Sequence, residues 1–201
     1  MVKRIIIFFV SLLIISCTGK STKIRHLSEN DIILAFGDSI THGIGANNTE
    51  SYPSVLANLT KRTVIESGIP GETTEEGLIR LKDVLEKYNP SLVILCEGGN
   101  DMLRQINDNR IKENLRSMVR LIKEKGIDVI LIGVPKPGFI ISVPDFYKDV
   151  AVEFNIPYDG KILKSILTDN RLKADPIHPN GEGYKKLATR IYELIKENGG
   201  L

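Results

Sequence analysis

Three short runs, residues 32–36, 92–96 and 128–134, are apolar along nearly their whole length instead of alternating with polar residues. A strand with one wet face alternates, whereas a strand covered on both faces does not; such runs predict a parallel sheet between two helical layers. Residues 64–67 form a shorter fourth candidate. Helical patterns fall between the runs. Leu78, Leu81, Leu85 and Tyr88 recur at intervals of three and four, and Thr73 with Glu76 makes a capping box at the start. Ile111, Leu115, Met118 and Ile122 mark a second helix, closed by Gly126, and Tyr184, Leu187, Ala188, Ile191 and Ile195 mark the last. Strand–helix alternation with short links predicts a three-layer α/β/α sandwich with a parallel, flavodoxin-like sheet over residues 31–201.

Ligands in such folds bind outside the carboxyl ends of the strands. The distinctive residues of this chain fall there. Gly37-Asp38-Ser39-Ile40 follows the first strand, Gly68-Ile69-Pro70-Gly71 the second, and Gly98-Gly99-Asn100-Asp101 the third. A serine hydroxyl needs a base to act as a nucleophile, and the chain offers three histidines. His26 lies in a polar N-terminal stretch. His42 is close to Ser39 in sequence, without a carboxylate nearby. His178 has Asp175 three residues before it in Asp175-Pro176-Ile177-His178. That spacing lets the carboxylate fix the tautomer of one ring nitrogen and leaves the other for Ser39. An oxyanion formed on attack needs fixed donors. The backbone N–H groups of Ser39 and Gly71 and the side-chain amide of Asn100 are the candidates.

These blocks, with Pro179-Asn180 after His178, resemble the four motif blocks of the GDSL, or SGNH, hydrolases in order and separation, from Ile32 to the C-terminal helix. Within that superfamily the chain is most similar to the bacterial thioesterase I/lysophospholipase L1 and arylesterase branch. The resemblance implies a serine esterase or acyl hydrolase working through an acyl-serine intermediate. Its nucleophile falls on Ser39, its acid and base on Asp175 and His178, and its oxyanion donors on Ser39, Gly71 and Asn100. It implies no metal and no organic cofactor. One departure stands out: Glu66-Ser67-Gly68 occupies a stretch that often begins with asparagine in the family, which leaves Gly68 as a second candidate for the oxyanion glycine. The chain has no Gly-x-Ser-x-Gly elbow.

The N-terminus reads as an export signal. Lys3 and Arg4 precede an apolar run over residues 5–15, too short to span a bilayer comfortably. Ile14-Ile15-Ser16-Cys17 resembles a bacterial lipobox, which implies cleavage after residue 16 and lipidation of Cys17. Residues 17–30 are then expected to be a tether, and the protein a membrane-anchored lipoprotein of the bacterial cell envelope. Removing residues 1–16 takes Lys3 and Arg4 from 27 basic residues and leaves 25 against 25 acidic ones. A near-zero net charge with no basic run gives nucleic acid no footprint. With Cys17 lipidated, Cys96 remains as a small buried apolar residue, with no partner for an intrachain disulfide. The expected partners are a small-molecule or lipid ester and, through Cys17, the membrane.

Two further readings use the same residues. A carbohydrate O-acetylesterase would use the same serine on a polar substrate. A non-catalytic, flavodoxin-like binding lipoprotein would use the glycine turns to hold an anion, although no Gly-x-Gly-x-x-Gly or phosphate-loop pattern is present. Residues 135–141, Pro-Lys-Pro-Gly-Phe-Ile-Ile, place apolar side chains after a strand end, where Phe139 and Ile141 either line an acyl groove or pack beneath the loop.

Overall fold

A computed structural model describes residues 24–138 and 141–201. In chain order the elements are β1 (Ile32–Gly37), α1 (Ser39–His42), α2 (Tyr52–Thr60), β2 (Thr63–Gly68), α3 (Thr74–Tyr88), β3 (Leu92–Cys96), α4 (Gly99–Leu103) and α5 (Asp108–Glu124). Then come β4 (Asp128–Ile132), α6 (Asp145–Phe154), β5 (Tyr158–Asp159), α7 (Ile162–Leu167) and α8 (Gly181–Glu197). The five strands lie in the order β2-β1-β3-β4-β5, and every pairing is parallel. Helix α8 packs against α2 and α7, and α5 packs against α3 and α6, giving the two layers that cover the sheet. This is the expected three-layer α/β/α architecture.

Burial explains which strands the sequence announces. Every residue of β3 is buried, and so is β1 after its first residue. The edge strand β2 is only half-buried, so its run is shorter and interrupted by Glu66. The two-residue strand β5, paired to β4 through Leu131–Tyr158 and Ile132–Asp159, has too few residues to make a run. β4 ends at Ile132, two residues before the expected limit, although the Gly133 N–H still donates to the Asp159 carbonyl at 2.8 Å. The capping box of α3 forms as read: Glu76 Oε2 accepts from the Thr73 N–H at 2.8 Å.

Residues 24–30, expected to belong to a tether over 17–30, are part of the folded domain. From Ile24 onward the chain is docked on the domain, with Ile24 and Leu27 buried. The Ile24 N–H donates to the Asn198 carbonyl at 2.8 Å, the Leu27 N–H donates to Gly200 at 2.9 Å, and Arg62 donates to the Leu27 carbonyl at 2.6 Å. Two apolar residues three apart are enough to seat a segment that is otherwise polar. The expected signal peptide over residues 1–16, the expected lipidation site Cys17 and residues 18–23 lie outside the described residues. No described helix is long and apolar enough to cross a membrane.

Candidate active site

Gly37 closes β1 against β3 so tightly that an added Cβ would lie 2.2 Å from the Cys96 carbonyl oxygen. The chain then turns at Asp38, whose Oδ1 accepts the Ile40 N–H at 3.0 Å and caps α1. Ser39 is thereby set at the first position of a helix, at the carboxyl edge of the sheet. His178 reaches it from the loop before α8, with Nε2 3.0 Å from the Ser39 Oγ. On the other side of the ring, Nδ1 lies 2.7 Å from Asp175 Oδ2. An ionised carboxylate only accepts, so Nδ1 carries the proton and Nε2 is free to accept from the serine hydroxyl. Burial raises the Asp175 pKa, but hydrogen bonds from the His178 ring and from the N–H groups of Ile177 and His178 outweigh it and hold the carboxyl below the usual range.

The donor candidates converge on the same cleft, which Ser39, Gly71, Asn100 and His178 all line. Gly71 adopts φ +84°, and a Cβ there would meet nothing within 4 Å. Its carbonyl is held by Arg104 at 2.8 Å, while among the described residues its N–H has no hydrogen-bond partner. Gly68 is different. Its N–H donates to Glu66 Oε1 at 2.6 Å, and a Cβ would strike the His42 nitrogen at 2.3 Å. Of the two glycines, Gly71 has the free donor. Asn100 Nδ2 donates to the Glu72 carbonyl at 2.9 Å and reaches Asp38 Oδ2 at only 3.4 Å, which leaves its second hydrogen loosely engaged beside the cleft.

His42 is not part of this constellation. Its Nδ1 lies 3.6 Å from Glu66 Oε1 on a half-exposed surface. Cys96 is buried at the end of β3, and burial pushes its thiol well above the ordinary value.

Other residues matter here that sequence reasoning left aside. Burial lifts the Asp38 carboxyl to about 6; the Ile40 N–H and the charge of His178 oppose the rise, and Asp101 and Glu72 add to it. Asp101 accepts the Thr74 N–H at 2.8 Å and its hydroxyl at 2.6 Å, tying the Gly99–Asn100 turn to the start of α3. Glu72 is clamped by Arg80 through Nε at 2.8 Å and Nη2 at 2.6 Å. The spacing of Glu72 and Arg80, eight apart across a helix start, gives no local pattern to recognise.

The cleft has a volume of about 320 Å³. Ile44, Leu103, Val134, Ile141, Leu167 and Ile177 are among its apolar walls. Ile141 is thus a lining residue, and Phe139 lies outside the described residues. Among the described residues, no cluster of three or more histidine, cysteine or acidic side chains is placed to hold a metal.

Comparison with known proteins identifies the family and the fold. The arylesterase of Vibrio mimicus is 30% identical over 176 residues, covering 82% of this chain and 88% of that protein. Thioesterase 1/protease 1/lysophospholipase L1 of Escherichia coli K12 is 26% identical over 166 residues, covering 79% and 80%. Among solved structures, TesA superposes with a TM-score of 0.74 at 25% identity, covering 83% of this chain and 98% of that one. The psychrotrophic esterase EstA from Pseudoalteromonas sp., solved with monoethylphosphonate, shares the fold with a TM-score of 0.72 at 22% identity. Residues 35–186, most of the chain, match a single family profile, and the protein belongs to the GDSL-like lipase/acylhydrolase family as a GDSL-type esterase.

Proposed function

We propose that the protein is an envelope-anchored serine esterase that cleaves carboxylic esters of apolar acyl groups, with Ser39 as nucleophile, His178 as base and Asp175 as its orienting acid. The observation that carries the reading is the unbroken hydrogen-bond chain from Asp175 through His178 to Ser39, opening into an apolar cleft. Ser39 Oγ attacks the carbonyl carbon while His178 Nε2 takes the hydroxyl proton. The oxyanion forms against the N–H groups of Ser39 and Gly71 and the Asn100 Nδ2 hydrogen that Asp38 holds only loosely. His178 returns the proton to the leaving oxygen or sulfur, and the alcohol or thiol departs. Water then attacks the acyl-serine by the same steps in reverse roles, releasing the carboxylic acid and the free serine.

The aliphatic walls favour an acyl chain over an acetylated sugar, whose hydroxyls would find few partners there. The names of the relatives, an arylesterase and a thioesterase/lysophospholipase, support ester and thioester substrates alike. The test is hydrolysis of p-nitrophenyl esters from acetyl to palmitoyl by the mature chain in detergent, beside Ser39→Ala and with an organophosphonate. Ser39-dependent turnover with a maximum above acetyl is expected, together with a phosphonate adduct on Ser39. A maximum at acetyl, or turnover that survives Ser39→Ala, sinks the reading.

Lipidation of Cys17 is part of the same proposal and rests on the sequence Lys3-Arg4, the apolar run and Ile14-Ile15-Ser16-Cys17. Ile24 and Leu27 enter the fold beside Arg62 and Asp128, at the amino ends of β2 and β4, on the side of the sheet opposite the cleft. A tether leaving there keeps the cleft clear of the anchor. Membrane-fraction labelling by a fatty-acid probe, lost in Cys17→Ser, is the expected result; labelling that persists in that variant removes the anchor.

A further inference from the structure

Four carboxyl side chains are buried beneath the cleft: Asp38, Glu72, Glu97 and Asp101. Three have good partners. Asp38 accepts from Ile40, Asp101 from Thr74, and Glu72 from Arg80. Glu97 does not. It is fully buried, its Oε2 accepts only the Gly98 N–H at 3.2 Å, and among the described residues its Oε1 has no hydrogen-bond partner. An ionised carboxylate so placed, with Asp38 and Glu72 beside it, would be a buried charge without compensation.

The Glu72 side chain lies close enough to Glu97 for a hydrogen bond once one of the two carboxyl groups carries a proton. A Cβ built on Gly77 of α3 would lie 3.3 Å from Glu97 Oε1 and 3.4 Å from Glu72 Oε2, so both carboxyl groups turn toward the space that this glycine leaves. Glu72 already takes two hydrogen bonds from Arg80, and a carboxylate has lone pairs to take a third. The groups facing Glu97 are Asp38 from the end of β1, Glu72 with Arg80 from the loop before α3 and from α3, Cys96 from β3, and Tyr147 from α6, whose hydroxyl donates to the Glu97 backbone carbonyl at 2.7 Å. Arg80 is the cation among them, and Glu72 already uses it. Burial first, then the charges of Asp38 and Glu72, push the Glu97 carboxyl well above the usual carboxylate range.

We propose that Glu97 is a positioning residue of the esterase site: it keeps its proton, donates it from Oε1 to the Glu72 carboxylate, and so fixes the Glu72 main chain whose carbonyl holds Asn100 Nδ2 at 2.9 Å. The pair is an acid and a carboxylate sharing one proton, closed on its far side by Arg80. Its effect on catalysis is indirect. It sets the direction of the amide that the proposed mechanism uses at the oxyanion, and it rests on that reading of Asn100. As pH rises far enough to ionise Glu97, two carboxylates face one guanidinium, the pair repels, and the Asn100 anchor loosens.

Three variants and one spectrum test this. Glu97→Gln offers Glu72 an N–H and Gly98 a carbonyl, so it mimics the protonated acid but cannot ionise. Glu97→Leu fills the volume without the donor. The expected kcat on a p-nitrophenyl ester is near wild type for Glu97→Gln and about tenfold lower for Glu97→Leu, with KM little changed in both, because the oxyanion donor acts in the transition state. The alkaline fall of kcat in the wild type is expected to move to higher pH in Glu97→Gln. The infrared difference spectrum of wild type minus Glu97→Gln at neutral pH should contain the C=O stretch of a protonated carboxyl group. Absence of that band overturns the protonated pair whatever the kinetics show. Equal kcat in wild type and Glu97→Leu, both folded, or equal damage in the Gln and Leu variants, overturns the positioning role. Ser39→Ala in the same assay separates the two readings: loss of turnover there with unaffected Glu97 variants leaves the esterase standing and removes only Glu97.

Discussion

Asp175 holds His178 at two points: Oδ2 takes the ring Nδ1 at 2.7 Å, and Oδ1 takes the same residue's backbone N–H at 2.9 Å. A third bond, from the Ile177 N–H to Oδ1 at 2.8 Å, locks the carboxylate into the turn it shares with the histidine. The imidazole is therefore oriented by its own loop and not by a distant element. Asp175→Asn keeps an acceptor for the backbone N–H groups and changes only what the ring sees. The amide can present N–H to Nδ1, which favours the tautomer with the proton on Nε2, facing Ser39. Turnover should fall by about 10⁴ with the melting temperature nearly kept. A loss below tenfold in kcat on p-nitrophenyl esters would show that the tautomer is set by something other than Asp175.

Asn100 is held on one hydrogen by the Glu72 carbonyl and only loosely on the other, by Asp38 at 3.4 Å. If that second hydrogen meets the oxyanion, Asn100→Ala costs about 2.7–4 kcal/mol in the barrier, or about 10²–10³ in kcat. KM should change little, since the charge being stabilised is absent from the bound ester. A raised KM at constant kcat would instead make Asn100 a ground-state contact.

The two glycines of the second block make a direct contrast. At Gly68 a methyl group meets backbone, 2.3 Å from the His42 nitrogen and 2.6 Å from the Asp38 oxygen, so neither neighbour can step aside. Gly68→Ala should lose at least about 1–3 kcal/mol of stability by overpacking. At Gly71 the space is open, and the cost is the left-handed φ of +84° alone, about 1–2 kcal/mol for an L-residue. Denaturant melts of the two variants should rank Gly68→Ala as the less stable; the reverse order would mean that the second-block loop is not packed as described.

What the chain disclosed in advance follows a physical line. Strands buried on both faces, such as β3, must be apolar throughout, and residues 92–96 say so without help from the rest of the chain. The hydrogen-bonded trio is legible because Asp175 and His178 are neighbours in sequence, and because few histidines compete for Ser39. β5 escapes because two residues cannot carry a period, and the docking of Ile24 and Leu27 escapes because it depends on Arg62 and the end of α8, far along the chain. The buried acids are hidden for a related reason. Nothing local marks Glu72 and Glu97 as buried, or Arg80 as the partner of Glu72, until the sheet brings the third-strand turn over the start of α3, and no local spacing encodes that meeting.

Asp38 gives the clearest dependence on pH. Its carboxyl is fully enclosed, and burial raises its pKa from 3.8 to about 6. A raised carboxyl pKa means that the native state binds the proton more tightly than the unfolded chain does. The stability this confers is complete below the unfolded value and is lost as pH rises through about 6. Above that range Asp38 is an ionised, desolvated group held by the Ile40 N–H and, loosely, by Asn100 Nδ2, and the differential is on the order of 3 kcal/mol at about 1.36 kcal/mol per unit. Asp38→Asn keeps the oxygen that caps α1 and removes the titration. Unfolding free energies of the two proteins should run closest below the unfolded pKa of 3.8 and separate in favour of Asp38→Asn toward neutral pH. Turnover should move the other way, because the Asp38 charge that the His178 charge steadies also steadies the imidazolium formed during attack. Stability curves that stay parallel across the whole range would show that Asp38 ionises as freely in the folded protein as in the unfolded chain, and its place beneath Asn100 would then have no electrostatic consequence.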